Sequence, residues 1–249
     1  MDKNTKKMIK AFDTVKQMGF IVSNRRGNTG IGKTFEDVLN IIENNIDAPD
    51  LYEFEIKSQR ALSRSRITLF TKAPTLPKNA NSYLRDNYGI PDKHFESLKV
   101  LHTSCFHNKF NTHKSGFGFK LNCNDKKEKM FLQIIDLATG KIVSENIYWS
   151  YYILHKIVES KIKHLAFVSA DSRLKGEIEE FHFNKMILYT GITFEKLLEF
   201  IKKDNGLMFD IRLGAYKSEH NFGKLHDHGS GFRILKSQLE ELYPTKIVV

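Results

Sequence analysis

A mixed α/β fold, with helices and mixed sheets combined in the α+β manner, is what this 249-residue chain predicts. Apolar residues recur at helical spacing in some stretches and alternate with polar residues at period two in others. Tight turn signals such as Thr139-Gly140 and Asp204-Asn205-Gly206 sit beside strand candidates, whereas a purely parallel sheet needs helical crossovers between its strands.

Residues 5 to 18 predict a helix, because Met8, Ile9, Phe12, Val15 and Met18 fall on one face and Gly19 can end it. Phe20-Ile21-Val22 is a short apolar run, and the polar, glycine-rich stretch from Ser23 to Gly32 predicts a loop. A second helix follows, with Thr34 as a candidate cap and Phe35, Val38, Leu39, Ile42 and Ile46 on its buried face. Asp47 to Asp50 reads as a turn into a strand over Leu51 to Lys57, and Ile67 to Thr71 as the next strand, a candidate hairpin partner ended by Pro74 and Pro77. A short helix is expected over Asn81 to Tyr88, closed by Gly89. Strands are expected over Phe117 to Leu121, Met130 to Leu137 and Ile142 to Trp149. Tyr151 to Val158 reads as helix, His164 to Ser169 as an apolar strand, Phe194 to Ile201 as helix, Leu207 to Tyr216 as strand, and Leu235 to Leu242 as a closing helix stopped by Pro244. No internal repeat, low-complexity tract or long linker interrupts the chain.

Hydrophobic content of 41% and aromatic content of 12% exclude a disordered chain. The net charge of +10 and a pI near 9.4 point to a polyanionic partner. No apolar stretch is long enough to span a bilayer, and the N-terminus lacks the apolar run of a signal peptide. Two cysteines, Cys105 and Cys123, make no disulfide framework. The chain therefore reads as cytoplasmic with free thiols.

The most informative motif is Asp50 followed by Glu55-Ile56-Lys57. Period-two alternation from Leu51 to Lys57 would put Glu53, Glu55 and Lys57 on one face and Tyr52, Phe54 and Ile56 on the other. Two carboxylates brought to one place repel unless a cation lies between them, and hard oxygen ligands favour Mg²⁺. A lysine beside them can hold a water, a trio suited to metal-assisted attack on a phosphodiester. The same pattern also suits a solvated edge strand with a Glu–Lys ladder. Glu36, on the preceding helix but off its apolar stripe, could orient a metal-bound water or Lys57.

A rival lies upstream. Gly27-Asn28-Thr29-Gly30-Ile31-Gly32-Lys33-Thr34 matches G-x₄-G-K-[ST], the phosphate loop of nucleotide hydrolases. Four polar residues separate it from its short strand, which disfavours that reading and leaves a glycine loop near phosphates through Arg25, Arg26 and Lys33. Arg60, Arg64 and Arg66 crowd just after Lys57, as a phosphate-backbone contact would require. Further on, Asp210, Arg212, Tyr216, Lys217, His226, His228 and Arg233 make a basic, histidine-rich ribbon that could read base edges. Zinc is the alternative for His226 and His228, and for the loose group His102, Cys105, His107 and His113, but neither has a zinc-finger spacing.

Taken together, Gly30 to Glu36, Asp50, Glu55-Ile56-Lys57, Ile67 to Pro74 and the ribbon from Phe209 to Arg233 resemble the MvaI/BcnI family of Type II restriction endonucleases. That group is related to the mismatch-repair nicking enzyme MutH and carries the PD-(D/E)xK nuclease core. The resemblance implies two lobes around a DNA cleft, with residues 1–98 approximately the mainly catalytic lobe and 99–249 approximately the mainly recognition lobe, each allowed to be discontinuous. It implies that Asp50 and Glu55 bind Mg²⁺, with Mn²⁺ able to substitute and Ca²⁺ non-productive, that Lys57 positions the attacking water, and that Glu36 is the helix glutamate of MutH-like sites. Arg25, Arg60, Arg64, Arg66 and the ribbon residues would contact double-stranded DNA. The implied target is CCWGG (W is A or T), cut after the second C by a monomer that nicks the strands in succession. A companion methyltransferase acting on the same site and a bacterial cytoplasmic location complete the expectation. A MutH-like nicking enzyme and a nucleotide hydrolase built on Gly27 to Thr34 are the competing functions.

Overall fold

The computed structural model describes residues 1–41 and 48–249. Ile42, Ile46 and Asp47, expected in the second helix and the turn after it, lie outside the described residues.

In chain order the helices are α1 (Lys3–Gln17), α2 (Gly30–Val38), α3 (Ala80–Tyr88), α4 (Tyr151–Ile157), α5 (Phe194–Lys202) and α6 (Leu239–Leu242). The strands are β1 (Phe20–Val22), β2 (Glu55–Arg60), β3 (Ile67–Phe70), β4 (Ile90–Pro91), β5 (Lys99–Cys105), β6 (Phe117–Asn124), β7 (Lys129–Asp136), β8 (Ile142–Ser150), β9 (His164–Lys175), β10 (Ile178–Thr190), β11 (Met208–Ala215), β12 (Leu225–Asp227), β13 (Gly231–Ile234) and β14 (Thr245–Val248). Among the described residues no helix is long and apolar enough to cross a membrane. The chain forms two compact units. One comprises Met1–Ile67, Lys156–Thr193 and Leu235–Val249, and the other Thr68–His155 and Phe194–Ile234. Residues 68–98, expected with the first lobe, thus fall in the second unit, while 156–193 and 235–249 fall in the first.

The first unit is built on a mixed sheet in the order β1-β10-β9-β2, with β14 also paired to β10. β2 runs parallel to β9, with Glu55 opposite Leu165 and Lys57 opposite Phe167, and the other pairings are antiparallel. Helix α1 is capped by Asp2, whose carboxylate accepts the Thr5 N–H at 2.8 Å. Its stripe of Met8, Phe12 and Val15 packs with Ile31 and Phe35 of α2 and with Phe54, Ile56, Phe181 and Phe183 in one core. Gly30 starts α2 because a Cβ there would lie 2.2 Å from the Arg25 carbonyl oxygen. Helix α2 thus begins four residues before the expected cap. Thr34 is buried inside it, with Oγ1 3.4 Å from Ser23 Oγ.

The expected strand from Leu51 starts only at Glu55. Leu51 and Phe54 exchange N–H···O bonds of 3.1 and 2.8 Å across Tyr52 and Glu53, both at positive φ (49° and 72°). This is the two-residue turn with two left-handed centres that hairpins favour. It turns Glu53 into an exposed loop position, so Glu53 does not share a face with Glu55 and Lys57 as alternation predicts.

The second unit carries a sheet in the order β3-β13-β11-β5-β4, with β12 on β11, and a separate antiparallel meander β6-β7-β8. β3 therefore pairs with β13 and is not the hairpin partner of β2: Ser63 and Ser65 engage Arg60 and Gln59 in a loop that separates the two strands. Phe70, Trp149, Phe209 and Phe232 stack at centroid distances of 4.7–5.3 Å to form the aromatic core. The closing helix contracts to a 3₁₀ turn over Lys236–Gln238 followed by α6.

Glycine carries no left-handed penalty, whereas a non-glycine residue costs about 1–2 kcal/mol there. Glu53→Gly should accordingly raise the unfolding free energy by roughly 0.5 kcal/mol once the greater chain entropy of glycine is subtracted. Urea unfolding checks this, and a destabilised variant would contradict the strain.

Candidate active site and base-contact surface

In the first unit, the tight turn brings Asp50 back over the start of β2. Asp50 Oδ2 accepts the Ile56 N–H at 2.7 Å, which fixes one carboxylate beside the next strand residue. Glu55 is buried, and its Oε1 accepts from Lys57 Nζ at 2.5 Å, as two residues on one face of a strand allow. Its other oxygen, Oε2, is buried without a hydrogen-bond partner, and Lys161 Nζ stands 4.0 Å from it. Lys161 comes from a π-helical turn over Val158–Ile162, just before β9. Irregular turns of this kind recur at functional sites. Sequence reasoning missed Lys161 because it lies 106 positions from Glu55 and nothing local marks it.

Burial raises the Glu55 carboxyl above its ordinary value, opposed by Lys57 and reinforced by the negative charge of Asp50. The hydroxyl of Tyr243, which donates to the Ile162 carbonyl at 2.7 Å, is pushed upward by burial and by Glu55. An open depression of about 280 Å³ adjoins these groups. It is lined by Lys57, Ile56 and Ser58 of β2, by Glu36 and Lys33 of α2, and by Arg25 and Asn28 of the glycine-rich loop. The depression thus brings together Lys57, Glu36 and Arg25, while the Asp50 and Glu55 carboxylates are not among its lining residues. Arg60 instead turns to Glu179, with Nε and Nη2 at 2.6 and 2.5 Å from its carboxylate, and to the Gly27 carbonyl. Arg66 reaches Gln238, and Arg64 is exposed.

An orphaned buried carboxylate oxygen beside a second carboxylate fits a hard divalent cation. Among the described residues no group of three or more His, Cys, Asp or Glu is assembled. The phosphate-loop reading fares worse. β1, which precedes the glycine run, is a three-residue strand antiparallel to β10 and not a central parallel strand, and Lys33 pairs with Asp37 at 2.6 Å.

In the second unit the predicted ribbon residues converge on β11. Asp210 is buried; its Oδ1 accepts from Ser104 Oγ at 2.8 Å, and its Oδ2 lies 2.7 Å from Nε of both Arg212 and Arg233. One carboxylate thereby orients two guanidinium groups. Together with His102, Thr103, Ser104 and His228, Asp210 and Arg212 line an open depression of about 350 Å³. A Cβ on Gly214 would come within 2.9 Å of His228 Nε2, so glycine lets that ring lie over the strand. His228 packs against His226 at 4.0 Å between ring centroids, and His226 stacks on Tyr216 at 4.1 Å. Burial, then the neighbouring His226 and His102, hold His228 below the ordinary imidazole value. It is neutral at neutral pH, one ring nitrogen donating and the other accepting. Lys217 binds Asp92 at 2.9 Å. Cys105 is buried, and His113 bonds Ser115. Ser104 was absent from the sequence expectation, and His102 entered it only in the loose zinc alternative, because strand β5 itself was missed.

The family profile of the MvaI/BcnI restriction endonucleases matches residues 9–243. This chain belongs to the MvaI/BcnI restriction endonuclease family. Two solved structures of the family member MvaI are similar to it at 34% identity, covering 100% of this chain. The structure described as the MvaI–cognate DNA substrate complex gives a TM-score of 0.90 over 99% of its own chain. MvaI in the absence of DNA gives 0.64 over 98%. At that identity this family member is a relative of MvaI and not MvaI itself. No match was found among curated proteins.

Two measurements follow from these geometries. A raised carboxyl titration favours folding fully below the unfolded value of 4.5, and that contribution is lost as pH rises through the folded one. Metal-free protein should therefore lose thermal stability as pH rises above the unfolded carboxyl value, in a component that Glu55→Gln lacks. Asp210→Ala leaves the largely buried Arg233 without its counter-charge and should destabilise the protein by about 3 kcal/mol, read by urea unfolding.

Proposed function

We propose that this restriction endonuclease hydrolyses double-stranded DNA with Mg²⁺, at CCWGG, cutting after the second C. The observation that supports the reading is that Lys57, bonded to buried Glu55 on the strand start that Asp50 holds, lines a depression with Arg25, Lys33 and Glu36. Asp50 and Glu55 would hold the cation, which supplies an acidified water and neutralises charge developing on the phosphate. Lys57, fixed by Glu55, orients the attacking water by hydrogen bonding and stabilises the growing negative charge. Glu36 stands across the depression, where it can accept a hydrogen bond from that water. Arg25 and Lys33 draw the phosphate in. The low polarity around Glu55 strengthens each of these interactions.

The proposed specificity rests on the second unit. Arg212 and Arg233, oriented by Asp210, match the two acceptors of guanine, and neutral His228 supplies either a donor or an acceptor. The MvaI relative is described with its cognate DNA, and the CCWGG target, monomeric state and sequential nicking are carried over as proposals from that likeness. Residues 1–98 remain proposed as mainly the catalytic lobe and 99–249 as mainly the recognition lobe, with approximate bounds and discontinuous lobes allowed.

A plasmid digest with Mg²⁺ and no nucleotide, followed by end sequencing, tests the function. Discrete ends within CCWGG are expected; ends at another sequence would overturn the target, and intact plasmid would overturn the nuclease. Asp50→Ala, Glu55→Ala and Lys57→Ala should each slow cleavage more than about a hundredfold while DNA binding persists. Normal cutting by all three would refute the site. Arg212→Ala should cost about 1–3 kcal/mol of specific binding and leave nonspecific binding nearly unchanged, whereas Arg64→Ala should weaken all sequences alike and reduce the salt dependence.

A further inference from the structure

Leu62 is 96% exposed, more than any other large hydrophobic side chain among the described residues. A single exposed leucine on a mobile loop would call for no explanation. This loop is pinned. Ala61 N–H donates to the Ala170 carbonyl at 2.8 Å, and the Ala61 carbonyl accepts from Lys236 Nζ at 2.9 Å. Ser63 N–H closes a turn on the Arg60 carbonyl at 2.9 Å. Buried Gln59 donates to the Ser65 carbonyl at 2.8 Å and lies 3.1 Å from its hydroxyl, which stands 2.9 Å from that of Ser63. The backbone is thus tied on both sides of Leu62, and the side chain is held out in water.

Cations flank it: exposed Arg64 follows it by two residues, Arg66 and Lys236 lie beside the loop, and Glu179 is paired with Arg60. The loop also continues the strand that carries the catalytic group. Leu62 lies five positions beyond Lys57, so the tip stands within roughly 17 Å of Lys57 at about 3.3 Å per residue. That span is about five base steps of duplex DNA.

We propose that Leu62 is an apolar wedge that enters the minor groove of the bound duplex and partly unstacks one base step near the cut phosphate, with Arg64 on the flanking phosphates. Apolar side chains inserted from the minor groove kink DNA in this way, and the cost of unstacking is recovered by wider contact with the bent duplex. One leucine on a short loop fits a groove about 6 Å wide and would leave the roughly 12 Å major groove unfilled. The proposal rests on the nuclease reading above.

The test uses duplexes containing the mapped cleavage sequence, each with 2-aminopurine at a different step, mixed with full-length protein in Ca²⁺. Wild type should brighten one probe position within five steps of the cut, by several-fold. Leu62→Ala should abolish that signal, weaken specific binding by about tenfold and leave thermal stability unchanged, because the side chain makes no core contact. Leu62→Phe should keep the signal. If wild type cuts DNA but no position brightens, or if Leu62→Ala brightens equally, the wedge is wrong and the nuclease stands. Failure of wild type to cut any DNA overturns the nuclease reading itself.

Discussion

Two carboxylates held together at the start of β2 are the constraint around which the first unit is arranged. Asp50 is drawn back by its bond to the Ile56 N–H, and Glu55 is buried with one oxygen unsatisfied. Placing like charges in a poorly solvated site is unfavourable, and the protein answers with cations from two directions. Lys57 comes from the same strand face and Lys161 from an irregular turn far along the chain. The turn through Tyr52 and Glu53 holds two residues in a left-handed conformation to bring the carboxylates this close. Local strain and electrostatic repulsion thus concentrate at one spot, as expected where function overrides folding stability.

The second unit repeats the logic with the signs reversed. Two arginines approach one another on adjacent strands, and buried Asp210 compensates them while Ser104 completes its hydrogen bonding. The pairing of β11 between β5 and β13 makes that arrangement possible, since it sets Asp210 opposite both Ser104 and Gly231. Glycine at 231 is needed because a Cβ there would come within 2.9 Å of the Phe70 carbonyl oxygen. Pre-orientation of this kind lowers the ordering cost of a specific base contact.

Much of the architecture was readable from pattern: α1, the meander β6-β7-β8, α5 and β11 follow directly from period 3.6 or period 2. The failures are physical. β10 was missed because its buried positions include Glu180, which is neutralised by Arg173 across the strand pair. β5 was missed because its alternation of lysine, histidine and threonine with apolar residues resembles a loop until β11 lies beside it. Glu53 left its expected face because hydrogen bonding between Leu51 and Phe54 prevailed over alternation.

By itself the sequence pointed to a polyanionic partner, through a net charge of +10, and offered Asp50, Glu55 and Lys57 in close succession as the candidate site. These are properties of composition and short spacing, which survive without knowledge of the fold. Only the tertiary structure decided that Lys161 joins them, that Arg60 turns to Glu179, and that Asp210 clamps Arg212 and Arg233. Each of those contacts links distant segments or depends on strand register. Register is set by burial of whole faces and by turn geometry, so no local pattern can specify it.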